Sequence, residues 1–244
     1  SRFKSTRIPV VIGLLLICSC NGQTKASTED YVFKKGDRNG IGKWYMDREI
    51  AHVMGFQGMN WLERPEREEE ENASILLKNM DIKPTDIIAD IGAGSGYHVF
   101  RMAPLVSRGS IYAVDIQDEM LEALEAKKET QNIHYIKIIK GSEKSVNLPE
   151  NSVDKVLMVD VYHEFNYPKE IIASIKKALN PKGKLFLIEY RGEDRTVPIK
   201  ELHKMTEAQT VKEMETAGLT LERNDDNLPW QHCMVFNAAK ADRK

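Results

Sequence analysis

The chain holds 244 residues, with 35 Lys and Arg against 37 Asp and Glu for a formal net charge of −2. That balance lacks the cationic surplus of a broad binder of phosphate backbones, so no nucleic-acid partner is expected. With 41% apolar and 30% charged residues the chain is neither disordered nor fibrous, and three cysteines (Cys18, Cys20, Cys233) are too few and too scattered for a disulfide framework or a four-ligand zinc site.

At the N-terminal end, Arg2, Lys4 and Arg7 precede an apolar run over residues 10–17 that stops at Cys18-Ser19-Cys20. The run falls far short of the roughly 20 residues that cross a bilayer as a helix, so residues 1–19 read as a cleaved export signal. Residues 17–20 also resemble a bacterial lipoprotein box. That resemblance implies acylation of Cys20 and a lipid-anchored place in the cell envelope; an uncleaved apolar tail on a cytoplasmic enzyme is the alternative. Residues 20–42, rich in Gly, Asn, Thr, Lys and Asp, read as a tether. Aromatic and Met residues recur over 44–61, and residues 43–80 are expected to form a helical cap. Within it Pro65 opens a helix, the acidic stretch 66–71 is its solvated first turn, and Ala73, Leu76, Leu77 and Met80 form its buried stripe.

From residue 81 onward, short apolar runs alternate with helix-length segments. Strands are predicted over 87–91, 110–114, 135–139, 153–159 and 185–188, and helices over 97–106, 118–128 and 169–179. Such alternation implies right-handed crossovers and a parallel sheet covered on both faces. A further helix starts at Thr206, which has capping-box spacing to Gln209, and ends near Gly218. Residues 219–223 and 232–237 are separated by too few residues for a crossover helix and form an antiparallel pair closing the sheet.

The segment Asp90-Ile91-Gly92-Ala93-Gly94-Ser95-Gly96 lies where a buried strand turns toward a helix. Glycines there let backbone approach a ligand, and the helix start offers amide donors. The dinucleotide fingerprint needs G-x-G-x-x-G, whereas Tyr97 stands at its third glycine position. The pattern resembles motif I of the class I methyltransferases that use S-adenosylmethionine, over about residues 80–240. The resemblance implies an α/β, Rossmann-like class I methyltransferase fold over 81–240: a seven-stranded, mostly parallel sheet with an antiparallel last strand. It implies S-adenosyl-L-methionine as cofactor, whose cationic sulfonium and ammonium suit carboxylates. By this resemblance Asp90 holds the amino end, Gly92, Ala93, Gly94 and Gly96 give backbone access, and Asp115 accepts from the ribose hydroxyls. Ile116 would lie against adenine, Ser142 and Glu143 would stand at the adenine edge, and Asp160 would line the methionine moiety.

Acceptor chemistry is expected beyond the carboxyl ends of the fourth and fifth strands, where polar residues are dense: Asp160 to Phe165, then Glu189 to Asp194. His163 suits a general base, with Glu164 or Tyr162 orienting it; capping of the strand is the other reading. Trp61, Tyr190, Arg191 and His203 are the substrate candidates, with Trp44, Tyr45, His52, Arg64 and His232 behind them and packing as their alternative role. A metal-assisted reaction would use Asp160 with Glu189 or Asp194; the reading taken is that no metal is bound. The absence of an Asn-Pro-Pro-Tyr or Asp-Pro-Pro-Tyr run argues against amide or adenine nitrogen as acceptor. Trp61 to Pro65, Tyr162 to Phe165 and Leu228 to His232 resemble a bacterial subgroup of predicted methyltransferases. The function expected is methyl transfer to a small or membrane-proximal acceptor. An NAD(P)- or nucleotide-sugar-dependent oxidoreductase and a non-catalytic exported binding protein are the rivals.

Overall fold

The computed structural model describes residues 30–238. Residues 1–29, which hold the expected export signal, Cys20 and the first part of the expected tether, lie outside the described residues. The first elements differ from expectation. Strands β1 (Tyr31–Phe33), β2 (Gly40–Tyr45) and β3 (Arg48–Ala51) form an antiparallel meander across the end of the tether and the start of the expected helical cap. The cause is a two-residue reversal: Met46 and Asp47 both take positive φ (48° and 71°), the backbone of a tight hairpin, and pair Tyr45 with Arg48. Lys43 and Tyr45 are buried with Trp44 between them, a period of two that the aromatic recurrence concealed.

Short helices follow: α1 (Met59–Leu62), α2 (Arg67–Glu71) and α3 (Ala73–Asn79). The single helix expected after Pro65 is broken at Asn72, which sits in the left-handed region at φ 53° while its side chain accepts the Ile75 N–H and caps α3. The break turns Glu71 inward. It is buried, against the expectation of a solvated acidic turn.

The remaining elements alternate as predicted: β4 (Ile87–Ile91), α4 (Val99–Met102), β5 (Ser110–Asp115), α5 (Asp118–Thr130), β6 (Ile136–Lys140), β7 (Val153–Val159), α6 (Pro168–Ala178), β8 (Leu179–Tyr190), α7 (Glu207–Thr216), β9 (Leu219–Asn224) and β10 (Gln231–Ala238). They build one seven-stranded sheet in the order β6-β5-β4-β7-β8-β10-β9, with β10 antiparallel to both neighbours. Successive residues feed opposite cores: Ala89, Val156 and Leu187 pack on one face, Ile88, Leu157 and Phe186 on the other. Strand order reverses between β4 and β7, which opens a crevice beyond their carboxyl ends.

The meander is pinned over that crevice by one buried ion pair. The Arg48 guanidinium donates to both oxygens of Glu213 on α7 at 2.7 and 2.9 Å and to the His163 carbonyl at 3.1 Å, and Tyr162 donates to Glu213 at 2.6 Å. Removing one partner of a buried pair strands the other, at a cost of about 3–5 kcal/mol. Glu213→Ala is therefore expected to lower the free energy of unfolding by that order in urea titrations, while Lys140→Ala, which breaks an exposed pair with Asp118, leaves it unchanged.

Candidate active site

A cavity of about 620 Å³ opens above the carboxyl ends of the strands, roofed by the N-terminal segment. Its floor is the turn after β4. Gly92 and Gly94 take φ of 74° and 55°, and a Cβ on Gly92 would stand 2.5 Å from Val161 Cγ2, so only glycine fits. The Gly92 and Ala93 amides donate to the Val114 carbonyl. Asp115 accepts from three amides, Gly94 at 2.9 Å through Oδ2 and Ile116 and Gln117 at 2.8 and 3.0 Å through Oδ1. The expected helix-start amides contribute little, because α4 begins only at Val99 and spans four residues.

The cofactor residues read from the sequence divide. Gly92, Gly94, Asp115, Ile116, Ser142, Glu143 and Asp160 line the cavity. Ile116 is 44% exposed there, an uncovered apolar side chain beside a carboxylate. Asp90, Ala93 and Gly96 do not reach it. Ala93 packs in the core, Gly96 passes close against Phe100 and Leu124, and Asp90 lies in a side cleft of about 30 Å³ shared with Arg67, Ser95 and His98. The reason is strand geometry: Asp90 lies within β4, before the turn, and opens to that cleft, while along this strand the cavity lining begins at Ile91. Burial pushes the Asp90 carboxyl up to about 7, against the pull of Arg67.

Asp160 is the most exposed to unmet demand. Its backbone is left-handed at φ 51°, Oδ2 accepts from Gln231 at 2.6 Å, and Oδ1 is buried without a hydrogen-bond partner among the described residues. Burial, then Glu71 and Glu189, hold its pKa well above the usual carboxylate range. Opposite it, Glu71 accepts from Arg64 (2.7 Å), Arg67 (2.8 Å) and Tyr190 (2.7 Å), and Arg64 stacks on the half-exposed Trp61 at 3.7 Å. Arg67 and Glu71 escaped the sequence reading; their i,i+4 spacing was the available signal.

At the far end stand His163, Glu164 and His203. Glu189, fully buried, takes the His163 ring at Nδ1 (2.7 Å) and its backbone N–H (3.2 Å), so Glu189 is the orienting acid instead of Glu164 or Tyr162. His163 Nε2 faces His203 Nδ1 at 3.2 Å. Burial lowers the His163 pKa, but the Glu189 charge outweighs it and the net direction is up. His203 is pulled down to about 4 by burial and then by His163, while burial pushes Glu164 up to about 7. Several candidates fall outside. Tyr162 is buried against Glu213, Arg191 is tied to Asp226 and the Leu228 and Pro229 carbonyls, and His232 is held by Glu193 and Asn224. Tyr45 packs on Tyr31, Trp44 donates to the Lys34 carbonyl, and neither they nor His52 lines the cavity. Of the acids considered for a metal, Asp194 is engaged by Thr196 and both oxygens of Glu189 are taken by His163.

Residues 89–187 match the family described as a methyltransferase domain. A ubiquinone/menaquinone biosynthesis C-methyltransferase UbiE of Wigglesworthia glossinidia brevipalpis is 27% identical over 119 residues, 48% of this chain and 48% of that protein. The uncharacterized methyltransferase YdaC of Bacillus subtilis is 27% identical over 108 residues, 44% of this chain and 58% of that one. The chain thus spans about half the length of these curated relatives. A solved S-adenosylmethionine-dependent methyltransferase from Aquifex aeolicus shares the fold, with a TM-score of 0.71, 23% identity, and coverage of 75% of this chain and 98% of that chain. The cofactor implied is S-adenosylmethionine, and the residues fit it. An uncovered Ile116 suits an adenine face, Asp115 keeps acceptor capacity beyond its three amides, and the orphaned Asp160 Oδ1 awaits a donor or a cation.

The buried carboxyl of Asp90 has a sign that can be measured. It binds its proton more tightly folded than unfolded, so the fold loses stability as pH rises from 3.8 through about 7. Asp90→Asn is expected to gain stability over the parent by the order of 1–3 kcal/mol at about pH 8, and to lose that gain near pH 4. Urea titrations at both pH values check it; a gain independent of pH would contradict the assignment.

Proposed function

We propose that this protein transfers the methyl group of S-adenosylmethionine to a small acceptor bound between the cofactor and the His163, Glu164 and His203 end of the cavity. The carrying observation is that a single cavity joins the two halves: the Gly92, Gly94 and Asp115 surface on one side, and the polar cluster beyond β7 and β8 on the other. When bound, the cofactor supplies an electrophilic methyl on a cationic sulfur, which becomes a neutral thioether on transfer. The chain's residues do the positioning. Asp160 turns an unpartnered Oδ1 to the wall, and Trp61 and Leu62 form part of the roof that limits water. His163, fixed by Glu189, presents one ring nitrogen to the acceptor end. The oxidoreductase alternative loses ground because the glycine spacing and the antiparallel β10 both belong to the methyltransferase pattern and not to dinucleotide binding.

Calorimetry with S-adenosylhomocysteine and with NAD is the direct test. One site for the first and none for the second is expected, with Asp115→Ala weakening the first by tenfold or more; the reverse preference would sink the reading. His163→Ala is expected to leave that binding within about twofold, yet lower transfer of labelled methyl to a small-metabolite extract by about 10²–10³-fold. We further propose, from the sequence of residues 1–20, a lipid anchor at Cys20; among the described residues no helix is long and apolar enough to cross a membrane. Labelled palmitate incorporated by the parent and lost in Cys20→Ala is the expected result.

A further inference from the structure

We propose that His163 Nε2, His203 Nδ1 and the Glu164 carboxylate form a binding site for one divalent cation of the zinc class, at the acceptor end of the cavity. The ligand set stands on its own geometry; only the part given to an acceptor rests on the methyltransferase reading.

Geometry comes first. Ligand atoms about 2.0–2.1 Å from a zinc ion and about 90–110° apart lie about 2.8–3.4 Å from each other. The two imidazole nitrogens are 3.2 Å apart, on rings inclined at 73°. A carboxylate oxygen of Glu164 lies within 4.8 Å of both. Rotation of that side chain closes the remaining gap, since only Oε2 is engaged, by the Met54 amide. Three ligands of this kind, two imidazoles and one carboxylate, match the donor set of open zinc sites and of the facial sites that hold other first-row divalent ions.

The surroundings are built as a metal site is built. A ligating histidine characteristically gives its other ring N–H to a carboxylate, which fixes the tautomer and the ring plane. His163 does this with Glu189, whose two oxygens are both spent on it, one on the ring and one on the backbone N–H. With Nδ1–H committed there, neutral His163 turns a bare Nε2 lone pair toward His203. Glu164 and Glu189 together supply the two negative charges that balance a dication in a site sheltered from water. All three ligands also line the cavity, so the cation's remaining positions face the acceptor space. An acceptor there would be a small molecule carrying an oxygen or nitrogen donor able to complete the coordination.

The rival occupant of the 3.2 Å gap is a single shared proton. Cobalt(II) and zinc titrations of the chelator-treated full chain separate the two. The expected result is one equivalent bound, with visible cobalt d–d bands, and a loss of affinity of at least 100-fold in His203→Ala and in Glu164→Gln. Glu189→Gln should weaken binding by about 10–100-fold as a supporting residue does. Circular dichroism and urea titration of each variant show that its fold is intact. His203→Ala is the decisive variant, because His203 is only partly buried and ends a short turn. Absence of cobalt bands, affinity unchanged by His203→Ala, or a near-ultraviolet thiolate band would overturn the proposal. The last would place the ion on cysteine. Calorimetry with S-adenosylhomocysteine is read separately, so cation binding without cofactor binding would leave this site standing while removing the methyltransferase reading.

Discussion

The carboxylate of Asp115 holds the floor of the cavity in shape. Three amides converge on it from two different turns, and one of them, Gly94, belongs to a loop whose backbone would relax if left alone. Positive φ at Gly92, Gly94 and Gly96 keeps three side chains out of the way, at the entropic cost that glycine brings to a folded chain. The carboxylate offsets that cost by satisfying amides that the crevice would otherwise leave bare. An aspartate at the end of β5 thus does two things at once: it fixes the glycine turn after β4 and presents negative charge to the cavity.

The same economy governs the roof. Arg48 donating to Glu213 on α7, and Tyr190 on β8 donating to a Glu71 that Arg64 and Arg67 hold within the N-terminal segment, join that segment to the rest of the fold through polar groups taken largely out of water. Such pairs add little net stability over apolar packing, because desolvation consumes much of the attraction. What they supply is register. A meander held by aliphatic contacts alone could slide, whereas a guanidinium donating through two nitrogens to Glu213 admits one placement. That placement sets Leu62 over Gly94 and brings Trp61 and Glu71 to the cavity wall. The binding cleft is therefore made by two parts of the chain, and neither part encloses it alone.

At the His163 end of the cavity the buried acids Asp160, Glu164 and Glu189 interact with one another. Asp160 and Glu164 both carry raised pKa values, with burial as the leading cause, while Glu189 is compensated by the ring it holds. A wall of this kind favours positive charge over negative, whether carried by a sulfonium, an ammonium or a metal ion. It also explains why the glycine turn has the look of a phosphate loop without its chemistry: the short α4 has little dipole to offer, and the neighbouring carboxylates repel anions.

The seven strands of the large sheet and the glycine turn were legible from residue order. Their signals are local: unbroken apolar runs for buried strands, a Thr206 cap, a left-handed Gly218, glycines at a strand end. The meander over β1 to β3 was hidden because its burial depends on partners far along the chain. Lys43 is buried where Tyr167 and the Asn166 carbonyl receive it, and the half-buried Tyr31 donates to Glu170. The division of the site residues has the same origin. That Asp90, Asp115 and Asp160 end adjacent strands follows from the pattern of runs, but which of them faces the cavity is set by strand pairing and by the left-handed turn at Asp160. Likewise His163 was visible as a polar residue after a strand, while its partners Glu189, 26 residues on, and His203, 40 residues on, met it only through the packing of β7 against β8 and of the following turn. Sequence by itself determined what is encoded within a few residues, namely element type, sheet order class and the glycine turn. Tertiary structure decided which charges meet, because pairing between distant side chains depends on a chain path that no short stretch of residues contains.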